Sequence, residues 1–91
     1  MTEKILQVED KELRLLMRLV TLTNRYDSLY RAAKRAGSDL ALDFARQNKF
    51  MYATYLNFIN QLEIKYNIKL NEKLGFKFDI DNLRIVYYDT I

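Results

Sequence analysis

Arg31-Ala32-Ala33-Lys34-Arg35-Ala36-Gly37-Ser38-Asp39 is the stretch on which the fold turns. Three cations fall where the last carbonyls of a helix carry partial negative charge. Gly37 follows as the residue type that most readily takes the left-handed backbone that ends a helix. Ser38 and Asp39 are of the type that caps a new helix, and Asp39 and Asp43 bring negative charge to its amide end. Stop, turn and start within so few residues predict an αα-hairpin whose second helix folds back antiparallel on the first.

Both flanks support two long helices. Upstream, over residues 10–36, Leu15, Leu19, Leu22, Tyr26, Leu29, Ala33 and Ala36 recur at alternating intervals of four and three, a seam with the helical period. Leu13, Leu16, Met17 and Val20 widen it, and Asp10 is the predicted N-cap. Downstream, over residues 39–66, one seam holds Ala41, Phe44, Asn48, Met51, Tyr55, Phe58 and Leu62. A second line holds Leu42, Ala45, Tyr52, Leu56 and Ile59. Two apolar lines exceed what one partner helix covers, so the tail or a second copy of the chain must bury the surplus.

The tail changes period. Phe76, Phe78 and Ile80 alternate with Lys77 and Asp79, Asp81-Asn82 breaks the run, and Leu83-Arg84-Ile85-Val86-Tyr87-Tyr88 follows. This pattern over residues 75–89 predicts a short β-hairpin or extended arm lying on the helices or across a dimer. Residues 67–74 fit a helix extension, a short third helix or a loop. The expected fold is therefore one domain over residues 1–91, mainly α: an antiparallel helical hairpin of two long helices with a C-terminal β-hairpin or arm, oligomerising into a bundle with a homodimer favoured.

Composition agrees and narrows the chemistry. The chain has no Pro and only two Gly, which suits long uninterrupted helices. It has no Cys and no His, so it lacks disulfides, activated thiols, the usual zinc ligands and the usual general base at neutral pH. No glycine-rich phosphate loop or nucleophile signature is present. Asp79-Ile80-Asp81-Asn82 resembles the opening of a calcium loop, but Arg84 occupies the position that needs glycine. The expectation is a non-enzymatic binding protein that needs neither cofactor nor metal. With no apolar run long enough to cross a bilayer and no basic start leading into one, the cytoplasm is the expected location and no membrane is expected as a partner.

Charge marks the first candidate site. Residues 11–35 hold seven Lys and Arg against Glu12 and Asp27, an excess of five in a chain whose net charge is +3. Positions 14, 18, 21, 25, 28, 32 and 35 follow one helical line and read Arg, Arg, Thr, Arg, Ser, Ala, Arg. Guanidinium forks and hydroxyls in a row suit phosphate oxygens. In a hairpin turning at 37–38, facing positions add to about 75, which brings Arg25 level with Arg46 and Lys49 near Tyr26, Tyr30 and Tyr52. Arg18, Arg25, Arg35, Arg46 and Lys49 are the candidate phosphate or nucleic-acid contacts, with Tyr30 and Tyr52 to stack on bases or nucleotides. A solvated helix face is the competing reading, since Asp10–Arg14 and Asp27–Arg31 form favourable i,i+4 pairs and Arg31, Lys34 and Arg35 complement the helix dipole.

The second candidate site is an interface. Asn48 interrupts an apolar seam, where a polar residue can fix register or oligomeric state. Leu56 and Ile59 belong to the surplus line, and Phe76, Phe78, Tyr87 and Tyr88 concentrate aromatic area in the tail. Together they predict an oligomer interface, or a protein-interaction module acting as inhibitor or adaptor. Short helical chains without cysteine are frequent among phage and plasmid regulators, a parallel of composition alone.

Overall fold

The hairpin forms as its turn predicts. In a computed structural model that describes residues 2–70 and 75–89, α1 spans Asp10–Arg35 and α2 spans Ala41–Tyr66. Gly37 takes the left-handed conformation, φ 66°, and the Ser38 amide donates to the Ala33 carbonyl at 2.9 Å, which stops α1. Ser38 Oγ accepts from the Leu40 amide, so Ser38 shapes the turn while Leu40 takes the cap position.

Two starts differ from the sequence expectation. Helix α2 begins at Ala41 rather than 39. At α1 the cap position belongs to Glu9, and Asp10 is the first helical residue. The Glu9 amide donates to Glu12 Oε1 at 2.9 Å, so a carboxylate three residues inside the helix reaches back to the entering chain. Residues 67–70 leave the helix through Asn67, which is left-handed at φ 53°, and the Glu63 side chain holds the Leu70 amide at 2.9 Å. The remainder of the 67–74 segment lies outside the described residues.

The tail does form a hairpin, but as part of a larger sheet. Strand β1 (Thr2–Gln7) precedes α1, and β2 (Phe76–Asp79) and β3 (Arg84–Asp89) follow α2. All pairings are antiparallel and the order is β1-β3-β2, so the two chain ends meet in one three-stranded sheet. The β2–β3 turn is held by Asp79, whose carboxylate accepts from Asn82 Nδ2 at 3.0 Å and from Arg84 Nη2 at 2.7 Å. These bonds hold the Asp79 carboxyl below its ordinary range, Arg84 contributing most. β1 is joined to that turn by the Gln7 side chain, which donates to the Asn82 and Leu83 carbonyls, and by the Val8 amide, which donates to Leu83.

The sheet packs on one half of the hairpin. Buried residues of the core are Leu6 and Val8 at the chain start, Leu13, Leu16 and Leu19 of α1, Tyr55, Ile59 and Leu62 of α2, Leu70, and Ile85 and Tyr87 of β3. The first half of α1 and the second half of α2 thus share a core with the sheet. The other half of the hairpin projects as a two-helix arm, in which Ala33 is the one buried residue among those described. The arm is joined by a hydrogen bond from Asn48 Nδ2 to the Thr23 carbonyl at 2.9 Å.

Candidate phosphate and nucleic-acid interface

Helix geometry assigns the basic line of α1 to solvent. Arg25 lies nine residues after the buried Leu16, and nine steps of about 100° turn a side chain to the opposite face. All seven positions of the line are exposed, from Arg14 through Arg18, Thr21, Arg25, Ser28 and Ala32 to Arg35. Two helical turns separate Arg18 from Arg25, and the row from Arg18 to Arg35 is about 25 Å long at ~1.5 Å per residue.

Within the line and beside it the cations divide by partner. Arg14 Nε sits 2.8 Å from Asp10, and Arg31 Nε sits 3.0 Å from Asp27. Lys34 Nζ lies 5.8 Å from the centre of the Tyr30 ring, which engages that half-buried tyrosine within its own helix. Among the described residues no carboxylate lies within ion-pair distance of Arg18, Arg25, Arg35, Arg46 or Lys49. Residues 24–50, which form the arm and its turn, carry six Lys and Arg against three Asp, an excess equal to the net charge of the whole chain.

The five cations divide between the helices, with Arg18, Arg25 and Arg35 on α1 and Arg46 and Lys49 on α2. Arg46 lies nine residues before the buried Tyr55 and so faces outward from α2, as Arg25 does from α1. Both arginines are exposed, Arg25 on α1 and Arg46 on α2. Lys49, one turn before Tyr52, is exposed on the flank of α2 that carries the 44 % exposed Tyr52 ring. The cationic row of Arg18, Arg25 and Arg35 lies along α1.

The interface candidates separate in the same way. Ile59 and Tyr87 are buried in the core, and Phe76 and Phe78 are half-buried against it. Phe76 stacks on Tyr55 with ring centres 6.5 Å apart, and Phe78 meets Phe76 edge-on at 5.7 Å. The sheet therefore covers part of the surplus line on α2. Leu56 stays exposed, as do Leu42 at 60 % and Phe50 at 64 %, and Tyr88 is half-buried. Asn48 joins the two helices of one chain.

One polar cluster escapes sequence reading. Glu12, 9 % exposed, receives hydrogen bonds from the Tyr66 hydroxyl, from Lys65 Nζ at 2.9 Å and from the Glu9 amide. Lys65 also reaches Glu9 Oε1 at 2.8 Å. Burial pushes the Glu12 carboxyl up, and the bonds from Tyr66, Glu9 and Lys65 outweigh it and hold it below the ordinary 4.5. Hydrogen bonds to Glu9 and Glu12 raise Lys65, and burial with the Glu12 contact raises Tyr66. With every partner engaged, the cluster is a clasp across the hairpin's open end. The facing rule that sets Arg25 level with Lys49 also places Glu9 and Glu12 opposite Lys65 and was the signal available for finding it.

Among the described residues no group of three acidic, His or Cys side chains is placed to hold a metal ion, and no helix is long and apolar enough to cross a membrane. Compared with protein-family models, curated proteins and solved structures, the chain has no match.

Proposed function

We propose that the chain is a non-enzymatic binding protein that takes nucleic acid, or another phosphorylated ligand, along the outer face of α1. The observation that carries this reading is the exposed row of Arg18, Arg25 and Arg35, interleaved with Thr21 and Ser28 and without acidic partners among the described residues. Such a row attracts phosphates by charge and holds them by paired N–H donors. Its test is fluorescence anisotropy with labelled generic DNA and RNA across a salt series. The parent binds with an affinity that falls steeply with salt, and replacing Arg18 and Arg25 together by Ala lowers the slope by about two. Unchanged affinity in the double variant refutes the site.

A second reading is a protein-interaction module, including self-association as a homodimer. It is favoured by the exposure of Leu42 and Phe50 on an arm with little core of its own, and of Leu56 beyond the arm on α2. Capture by this surface resists salt and is abolished by Leu56→Asp with folding retained, whereas phosphate binding behaves in the opposite way.

A further inference from the structure

Between the two helices, where the arm leaves the sheet-covered half, lies a hollow of about 200 Å³ lined by Val20, Thr23, Asn24, Tyr52 and Tyr55. It is smaller than pockets for drug-sized ligands and suits a single flat ring system. Its walls differ in chemistry. On the α2 side the Tyr52 and Tyr55 rings lie 6.1 Å apart and tilted by 32°, with Tyr55 backed by Phe76 so that the inner ring is held. On the α1 side Val20 is apolar, and Asn24 is exposed with a side-chain amide that makes no hydrogen bond to any described residue. The Thr23 hydroxyl donates to the Leu19 carbonyl at 2.7 Å and keeps acceptor capacity. Lys49 stands one turn before Tyr52 on the same flank without an ion-pair partner among the described residues.

An aromatic face, a side-chain amide with donor and acceptor, and a cation one turn away form the set that recognises a base carrying a phosphate. The Asn24 amide offers a base edge a donor and an acceptor that a purely apolar occupant would not use. We propose that this hollow is a stacking site for one unpaired nucleobase of a single strand, with Tyr52 against the ring, Asn24 at the base edge and Lys49 at the adjoining phosphate. The assignment rests on the phosphate-binding reading above and sharpens it: a duplex buries its base faces, so single strands are preferred.

The test compares a labelled twelve-nucleotide thymidine strand with a twelve-base-pair duplex, for the parent, Tyr52→Ala, Tyr52→Phe and Asn24→Ala. Tyr52→Ala weakens single-strand binding between about 5-fold and 150-fold, the range for loss of one stacked base, and leaves the salt slope and duplex binding unchanged. Tyr52→Phe retains affinity, and Asn24→Ala, at an exposed position, weakens the single strand while keeping the parent's circular dichroism. Unlabelled AMP added as competitor distinguishes the sources: displacement assigns the hollow to a free nucleotide, and persistence of the complex assigns it to the strand. If Tyr52→Ala and Asn24→Ala both bind as the parent does while Arg18 and Arg25 replacement still flattens the salt slope, the base site is wrong and the phosphate row stands. If the parent binds neither probe at low salt, both fall.

Discussion

Lys65 Nζ stands 2.9 Å from Glu12 Oε2, an ion pair between residues 53 positions apart that closes the open end of the helical hairpin. Glu9 and Tyr66 complete it, so the first turn of α1 and the last turn of α2 are joined by charge as well as by packing. The cluster sets the pH limits of the fold. Glu9 and Glu12 have lowered pKa values, so their contribution is present above the ordinary 4.5 and is lost as the pH falls through their folded values. Lys65 and Tyr66 are raised, so theirs is complete below the ordinary 10.5 and 10.0 and is lost as the pH rises. Urea melts across pH should show a plateau between these limits, with an acid limb that Glu12→Gln makes shallower.

Removing the Glu12 carboxylate leaves the Tyr66 hydroxyl without its acceptor and Lys65 with Glu9 alone. Glu12→Ala should destabilise by about 1–3 kcal/mol, the usual cost of breaking hydrogen bonds to a charged group. Tyr66→Phe, which deletes a single donor, should cost less. Thermal melts at neutral pH separate the two variants.

Asn48 holds α2 in register with α1 through the Thr23 carbonyl. Asn48→Ala should lower stability by about 1 kcal/mol and leave the oligomeric state unchanged, because the bond lies within one chain. Chemical denaturation with light scattering checks both; a change in mass would show that Asn48 also acts between chains.

The two halves of the hairpin should respond differently to truncation. Leu16 is fully buried where α1 meets the shared core, and Leu16→Ala should cost about 2–5 kcal/mol. Phe50, exposed on the arm, should change monomer stability by no more than about 0.5 kcal/mol when replaced by Ser. A large loss at Phe50 would mean that the arm is packed in solution.

Gly37 holds φ 66° with nothing close to an added Cβ. Gly37→Ala should therefore cost about 1 kcal/mol from backbone strain alone, and Gly37→Asn less, because Asn tolerates this conformation. Thermal melts of both variants check the order.

How far the sequence could be read depended on whether a feature was local. The turn at 36–40 was legible because charge, glycine and capping types act over a few residues, and the solvent position of the arginine line followed from helical period. The β2–β3 hairpin was legible through its alternation and its Asp-Asn break. Strand β1 was not: Thr2–Gln7 carries a single short apolar pair, Ile5-Leu6, and becomes a strand by pairing with β3, Leu6 opposite Ile85 across nearly the whole chain. The capping role of Glu9 was missed for a related reason, since its geometry depends on how β1 enters α1.

Sequence by itself determined two long helices, their antiparallel return, the tail hairpin and an outward row of arginines, because each depends on periodicity and near-neighbour chemistry. Tertiary structure alone decided that both chain ends join one sheet and that this sheet shares a core with Ile59 and one half of the hairpin. It also decided that Glu12 meets Lys65 and that Tyr52, Tyr55 and Asn24 share a hollow. Those relations depend on the relative placement of elements distant in sequence, which is set by burying apolar area between them and not by any local signal.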